Sequence, residues 1–234
     1  MACPATATAA VSLPHKILLL ACGSFNPVTN IHLRMFELAR DHLHRTSKYR
    51  VQGGVISPTN DKYQKRGLAP GTHRLEMVKR GVASSTWVQA SGWEVEQPEW
   101  TTTREVIAHM QNMVTTGGTF RGVDSDARVK LLCGGDLLES FAVPNLWSDD
   151  DIETIVGRFG IVVITRAGSE PQRFIDGHAL LTKHRDNIDI VEEWVPNEIS
   201  ATKLRLALSR GESVKYLTPD PVVDYIHEHK LYQN

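Results

Sequence analysis

The sequence predicts an α/β fold, a doubly wound parallel sheet with helices on both faces. Three observations carry this. Short, mainly apolar runs recur at residues 17–21, at 129–133, where Lys130 interrupts, and at 159–165, and such runs read as strands covered on both sides. Segments with the 3.6-residue apolar period of helices lie between them, so strand and helix alternate. Glycine follows the first two runs, at Gly23 and at Gly134-Gly135. In open sheets of this class, ligands bind beyond the carboxyl ends of the strands.

The first strand, over 17–21, runs into the turn Gly23-Ser24-Phe25-Asn26-Pro27. Gly23 has no Cβ, so a ligand can approach the backbone there. Pro27 fixes φ and stiffens the turn. Ile31, Met35, Leu38 and Ala39 then recur at i, i+4, i+7 and i+8, the apolar stripe of a helix. Thr29 is a good N-cap. His32 falls in the first turn, beside free backbone N–H groups and the positive end of the helix dipole. Strand, glycine turn and helix N-terminus form a phosphate site from backbone, and His32 is placed to touch a phosphate oxygen. A lone histidine would more often pack beside the stripe.

A second strand is expected over 50–58. The segment 59–70 is polar and carries Lys62, Lys65 and Arg66 between Pro58 and Pro70. It is either a solvated loop or a cationic arm over a phosphate. A helix over 72–83 buries Leu75, Met77 and Val78. A short strand at 87–90 and a helix at 101–114 follow. Residues 115–128 are glycine-rich and polar, a surface loop.

The strand from Val129 ends in Gly134-Gly135-Asp136. An acid there accepts hydrogen bonds from ribose hydroxyls, or caps the helix over 137–141. Residues 145–156 lead into another helix, and 159–165 and 187–191 form strands. Ser200 is an N-cap, with Thr202, Lys203 and Arg205 in or near the first turn after it. Cations there oppose the helix dipole, so an anionic ligand explains them better than local stability does. Gly211 ends that helix, and 221–230 forms the last one.

The chain has 234 residues and 41% hydrophobic content, enough for a sizeable core. We expect a disordered tail over 1–14 and one domain over 15–234. Lys plus Arg is 26 against 27 Asp plus Glu, so no general nucleic-acid or membrane-surface binding is expected. Cys3, Cys22 and Cys133 fit no zinc spacing. Cys22 and Cys133 end apolar runs and read as reduced core thiols of a cytosolic-type protein. No apolar run reaches the roughly 20 residues of a membrane span. The sequence is compatible with a homo-oligomer and does not fix the oligomeric state.

The pattern Gly-x-Phe-x-Pro-x-Thr-x-x-His at 23–32 resembles the nucleotidyltransferase superfamily, whose signature is (His/Thr)-x-x-His. The stretches 132–147, 165–168 and 199–205 narrow the resemblance to the eukaryotic nicotinamide/nicotinate mononucleotide adenylyltransferases. The resemblance implies a Rossmann-like domain. It also implies a reaction in which ATP and nicotinamide or nicotinate mononucleotide give NAD or deamido-NAD plus pyrophosphate. Mg²⁺ or another divalent cation, bound through the ATP phosphates, would assist, with no protein metal ligand assigned.

Carried over by motif, His32, Lys203 and Arg205 would be catalytic. Gly23 and Ser24 would line the dinucleotide phosphates, and Lys65 would contact the mononucleotide phosphate. Trp100 with Thr103, Leu146 and Trp147 would form the pyridine pocket. Gly134 and Asp136 would bind the adenosine side, with Arg166 and Asn197 near base and ribose. Ser200 and Thr202 would join the triphosphate site. Without the motif, Trp100 and Trp147 would read as core aromatics; Trp93 is assigned to structure. Ala201 stands where relatives often have a second serine, and 115–128 lacks the basic cluster of some nuclear relatives, which leaves cytoplasm and nucleus both open. Competing readings are another adenylyl- or cytidylyltransferase, such as the pantetheine-phosphate enzyme, and a non-catalytic dinucleotide sensor or chaperone-like protein on the same fold. A dehydrogenase is disfavoured, because the first turn lacks Gly-x-Gly-x-x-Gly.

Overall fold

The computed structural model describes residues 14–63, 65–118, 120–166 and 169–233, with Arg166 by its backbone only. The expected tail, save Pro14, and Ala167 and Gly168 of the 165–168 motif therefore lie outside the described residues. The first apolar run forms β1 (His15–Gly23), and the helix begun by Ile31 is α1 (Asn30–Arg45). There follow β2 (Tyr49–Pro58), α2 (Gly71–Gly81), β3 (Val88–Ala90), α3 (Trp93–Glu96), α4 (Thr103–Thr115), β4 (Arg128–Gly134) and α5 (Gly135–Ser140). The remainder is α6 (Asp149–Ile152), β5 (Ile161–Arg166), α7 (Pro171–Asp176), α8 (Ala179–Lys183), β6 (Ile188–Glu193), α9 (Ala201–Ser209) and α10 (Asp220–Glu228).

The six strands among the described residues are all parallel, in the order β3-β2-β1-β4-β5-β6. The chain starts mid-sheet, winds out through β2 to β3, then returns to place β4 against the free side of β1. Strand order reverses between β1 and β4, so their carboxyl ends part and leave a crevice. The alternation of β1 shows both faces covered. Ile17, Leu19 and Ala21 pack with Phe36, Met77, Leu204 and Ile226 from α1, α2, α9 and α10. Leu18 and Leu20 pack on the other face with Ile107, Met110 and Leu138 from α4 and α5.

Two departures from expectation have physical causes. α3, α7 and α8 span only four to six residues each, too few to show a helical period. α6 continues as a π-helical segment over Glu153–Phe159, so β5 starts at Ile161 and not at residue 159. Gly160, at φ 84, makes the reversal between them.

Gly54 of β2 lets α1 approach the sheet. A Cβ there would sit 2.7 Å from the fully buried Phe36 ring and 3.1 Å from Val88. Gly54→Ala is expected to destabilise by ~1–3 kcal/mol through overpacking, read from the urea midpoint. Phe36→Leu in the same chain should relieve part of the loss. No relief would place the defect in the strand backbone instead.

Candidate active site

The turn after β1 is fixed from beneath by side chains distant in sequence. Arg74 of α2 is fully buried. Its Nη1 donates to the Ser24 carbonyl (3.1 Å) and its Nε to the Ala69 carbonyl (2.9 Å). Its Nη2 donates to the Thr59 carbonyl (2.7 Å) and to Asp61 Oδ1 (2.8 Å). One guanidinium thus ties the glycine turn to both ends of the 59–70 loop. Phe25 is held at φ 44, a conformation non-glycine residues rarely adopt. Its ring meets the His32 ring edge-on at 5.2 Å.

Thr29 caps α1 and His32 stands at N3 of a capping box. The Thr29 backbone N–H donates to His32 Nδ1 at 3.0 Å, and Thr29 Oγ1 lies 2.9 Å from the same nitrogen. With Nδ1 accepting, the ring proton resides on Nε2. Burial lowers the His32 pKa to about 4, so the ring is neutral at pH 7 and offers one N–H donor.

The crevice between β1 and β4 has a volume of about 420 Å³ and brings together Gly23, Ser24, His32, Gly134, Asp136, Asn197 and Ser200. It therefore joins the N-termini of α1, α5 and α9. Gly134 caps α5, and Asp136 lies inside that helix's first turn. A Cβ on Gly134 would meet nothing within 4 Å; the open space beside it is the crevice. Ser200 caps α9, accepting from the Lys203 N–H at 3.2 Å. Asn197 Oδ1 accepts from the Ile199 N–H at 3.0 Å. Arg205 donates from Nη1 to the Asn26 carbonyl (2.8 Å) and from Nη2 to Thr202 Oγ1 (3.2 Å). Lys203 has a local acidic partner the sequence did not suggest, Glu198 at 3.1 Å, so part of its presence has a structural reason.

Thr202, Lys203 and Arg205 follow Ser200 along α9 but do not line the crevice, and neither do Lys65, Trp100, Thr103, Leu146 and Trp147. Lys65 is exposed in the 65–70 loop. Trp100 is 48% exposed and stacks on Tyr63, centroids 6.3 Å apart. Thr103 opens α4. Leu146 is exposed. Trp147 Nε1 donates to Ser140 Oγ at 3.0 Å, and its ring meets Phe141 edge-on at 5.1 Å. The Arg166 side chain is outside the described residues. Trp93 stacks on His109 at 3.8 Å, as fits a structural part.

Sequence reasoning missed Arg74, Asn26, Tyr63 and Glu94. Only Tyr63 carried a usable signal, an aromatic inside the cationic loop. Glu94 is 3% exposed and accepts from the Ser57 hydroxyl at 2.6 Å. Burial pushes its carboxyl up to about 7, against hydrogen bonds from Ser57 and Thr59 and the charge of Arg74. The folded pKa exceeds the unfolded one, so the native state binds the extra proton. Stability from this group is full below about 4.5 and lost as pH rises through about 7. Glu94→Gln is therefore expected to flatten unfolding free energy between these values, by up to ~3 kcal/mol at pH 8. An unchanged pH profile would place the ionisation elsewhere.

Three helix N-termini thus open onto a crevice where strand order reverses, the place at which open α/β sheets take ligands. The Cytidylyltransferase-like family model matches residues 20–207, and the chain belongs to that family. It is 43% identical to the Bos taurus nicotinamide/nicotinic acid mononucleotide adenylyltransferase 1, over 94% of this chain and 89% of that protein. It is 45% identical to the Arabidopsis thaliana nicotinamide/nicotinic acid mononucleotide adenylyltransferase, over 92% and 90%. The Drosophila melanogaster nicotinamide-nucleotide adenylyltransferase is 47% identical over 94% of this chain, which spans 62% of that relative's length. Within the family the chain groups with these eukaryotic mononucleotide adenylyltransferases. The solved Vibrio parahaemolyticus protein described as a candidate nicotinate-nucleotide adenylyltransferase shares the fold. Its TM-score is 0.55 at 16% identity, covering 94% of this chain and 96% of that one. Among the described residues no helix is long and apolar enough to cross a membrane.

Proposed function

We propose that residues 15–234 act as one domain that transfers AMP from ATP to nicotinamide or nicotinate mononucleotide, forming NAD or deamido-NAD and pyrophosphate. The observation that supports this most is the crevice itself, where the His32 ring and the starts of α1, α5 and α9 converge. The 5′-phosphate of the mononucleotide is already nucleophilic near neutral pH and needs no general base. Catalysis is positioning plus charge stabilisation. Gly23 and Ser24 lie along the phosphates, and His32 Nε2–H donates to ATP phosphate. Ser200, Thr202, Lys203 and Arg205 hold the departing pyrophosphate, with Lys65 on the mononucleotide phosphate. Asp136 and Asn197 take ribose and base, with Gly134 beside them and Arg166 nearby. Trp100, Thr103, Leu146 and Trp147 hold the pyridine ring.

Nucleotidyltransferases of this kind generally use a divalent cation with ATP. Among the described residues no cluster of three or more His, Cys, Asp or Glu could hold a metal by itself. A divalent cation such as Mg²⁺, carried in on the ATP phosphates, would neutralise triphosphate charge. The free thiols Cys22 and Cys133 suit a reducing compartment, cytoplasm or nucleus.

Purified protein with ATP, Mg²⁺ and each mononucleotide should release pyrophosphate and dinucleotide in equal amounts. No release with either would reject the transferase reading in favour of a non-catalytic dinucleotide binder. The two mononucleotides should differ in kcat/KM by no more than about tenfold, ~1.4 kcal/mol. Trp100, Leu146 and Trp147 bring neither cation nor anion to the ring substituent. A gap above a hundredfold would overturn the neutral pocket. Loss of an acid preference in Lys65→Met would then move Lys65 from the phosphate to the ring.

A further inference from the structure

We propose that Asn26 and Tyr232 are a positioning pair that sets the Lys65 loop in register with Arg205. Asn26 is 3% exposed, and its side chain is engaged on both ends. Its Nδ2 donates to the Gly67 carbonyl at 2.8 Å, and its Oδ1 accepts from the Ala69 N–H at 3.1 Å. The second bond to Oδ1 comes from the Tyr232 hydroxyl at 2.7 Å. The Asn26 backbone carbonyl is the acceptor for Arg205 Nη1 at 2.8 Å. A single residue of the glycine turn therefore grips the loop that presents Lys65 and the helix that presents Arg205.

Tyr232 is the peg in this arrangement. It follows α10 and reaches Asn26 only because the chain turns back sharply there. Lys230 and Tyr232 both take positive φ, 50° and 63°, and the Leu231 N–H closes onto the Ile226 carbonyl at 3.0 Å. The Tyr232 ring packs against the core on the α1–α10 face of the sheet. Two non-glycine residues in the left-handed region are held only where surroundings over-determine them. The partly buried Tyr232 hydroxyl is satisfied by Asn26. Removing the hydroxyl leaves Oδ1 with the Ala69 N–H alone, and the loop loses an anchor without losing the ring that fills the core.

The inference rests on the transferase reading only in assigning Lys65 and Arg205 to the two substrates; the loop anchoring stands apart from it. Trypsin cuts after Lys65 and Arg66, both exposed, so limited proteolysis reads the loop directly on the full chain. Tyr232→Phe is expected to speed cleavage at these two sites roughly fivefold, the loss of about one hydrogen bond. Other tryptic sites should keep wild-type rates, and the thermal midpoint should move by no more than ~4 °C. The variant's kcat for dinucleotide formation should fall roughly fivefold. Lys65→Ala should then cost less in the Tyr232→Phe chain than in wild type, because both act on one loop. Asn26→Asp removes the donor to Gly67 but keeps the acceptor for Tyr232, and should open the same two sites. Unchanged cleavage at Lys65 and Arg66, equal acceleration at all sites, or additive kinetic effects would each overturn the positioning role. A wild-type protein that makes no dinucleotide would reject the transferase reading, while the cleavage pattern would still decide the anchor.

Discussion

His32→Ala is expected to lower kcat/KM for dinucleotide formation at least ~100-fold, the usual loss when one charge-stabilising donor is removed from a transition state. Because the Thr29 N–H donates to Nδ1, the remaining ring proton sits on Nε2, and a pKa near 4 keeps the ring neutral at assay pH. A neutral donor binds phosphate by direction more than by net charge. Its loss should therefore be felt most when negative charge builds on the leaving group. The structural cost is small, since alanine forfeits half a capping box, ~1 kcal/mol. For a chain of this size that shifts the thermal midpoint by ~2–4 °C. The lowered pKa also fixes a sign: His32 contributes stability above about 6.5 that is lost as pH falls toward about 4. The variant should accordingly lose less stability than wild type across that interval. Single-turnover formation of dinucleotide, at saturating ATP, separates the chemical step from binding. A folded variant with near-normal turnover would reject the role given to His32.

His32 was legible in the sequence because its setting is local. Strand, glycine turn, Thr29 cap and helix stripe all fall within 17–39, and each obeys a short-range rule. Asp136 and Ser200 were legible for the same reason: each follows a strand or starts a helix. The supports of the site were not. Arg74 reaches the Ser24 carbonyl across 50 positions, and Tyr232 reaches Asn26 across 206. No periodicity marks an arginine that a fold will bury or a tyrosine that a chain reversal will aim. Lys203 shows a local contact that the sequence did not suggest. Its charge at a helix start pointed only to an anion, until Glu198 supplied a neighbour. Alternating strands and helices predicted the doubly wound class, while the order with β1 and β4 adjacent depends on long-range pairing.

Lys130→Met is expected to destabilise the fold by ~3 kcal/mol, the lower end for breaking a buried ion pair. Lys130 of β4 is 1% exposed. Its Nζ pairs with the Asp189 carboxylate of β6, donates to the Asn187 carbonyl at 3.0 Å and lies 4.8 Å from the Tyr49 ring centroid. Methionine retains most of the stem, so the cavity contribution is minor and the loss falls on Asp189. That carboxylate is only 11% exposed, yet it keeps Lys48 at 3.3 Å, which limits the damage. With ~2–4 °C per kcal/mol, the thermal midpoint should drop by ~6–12 °C. Adding Asp189→Asn should recover part of that loss, because the uncompensated charge goes with it. Asp189 is the second residue of β6 and Lys130 the third of β4, whereas the crevice opens at the carboxyl ends of β1 and β4. Turnover at 25 °C should therefore remain near wild type in the fraction still folded. A loss below ~1 kcal/mol would mean that the pair behaves as a surface ion pair does. Failure of Asp189→Asn to restore any stability would mean that packing around the Lys130 stem, and not the charge left on Asp189, sets the cost.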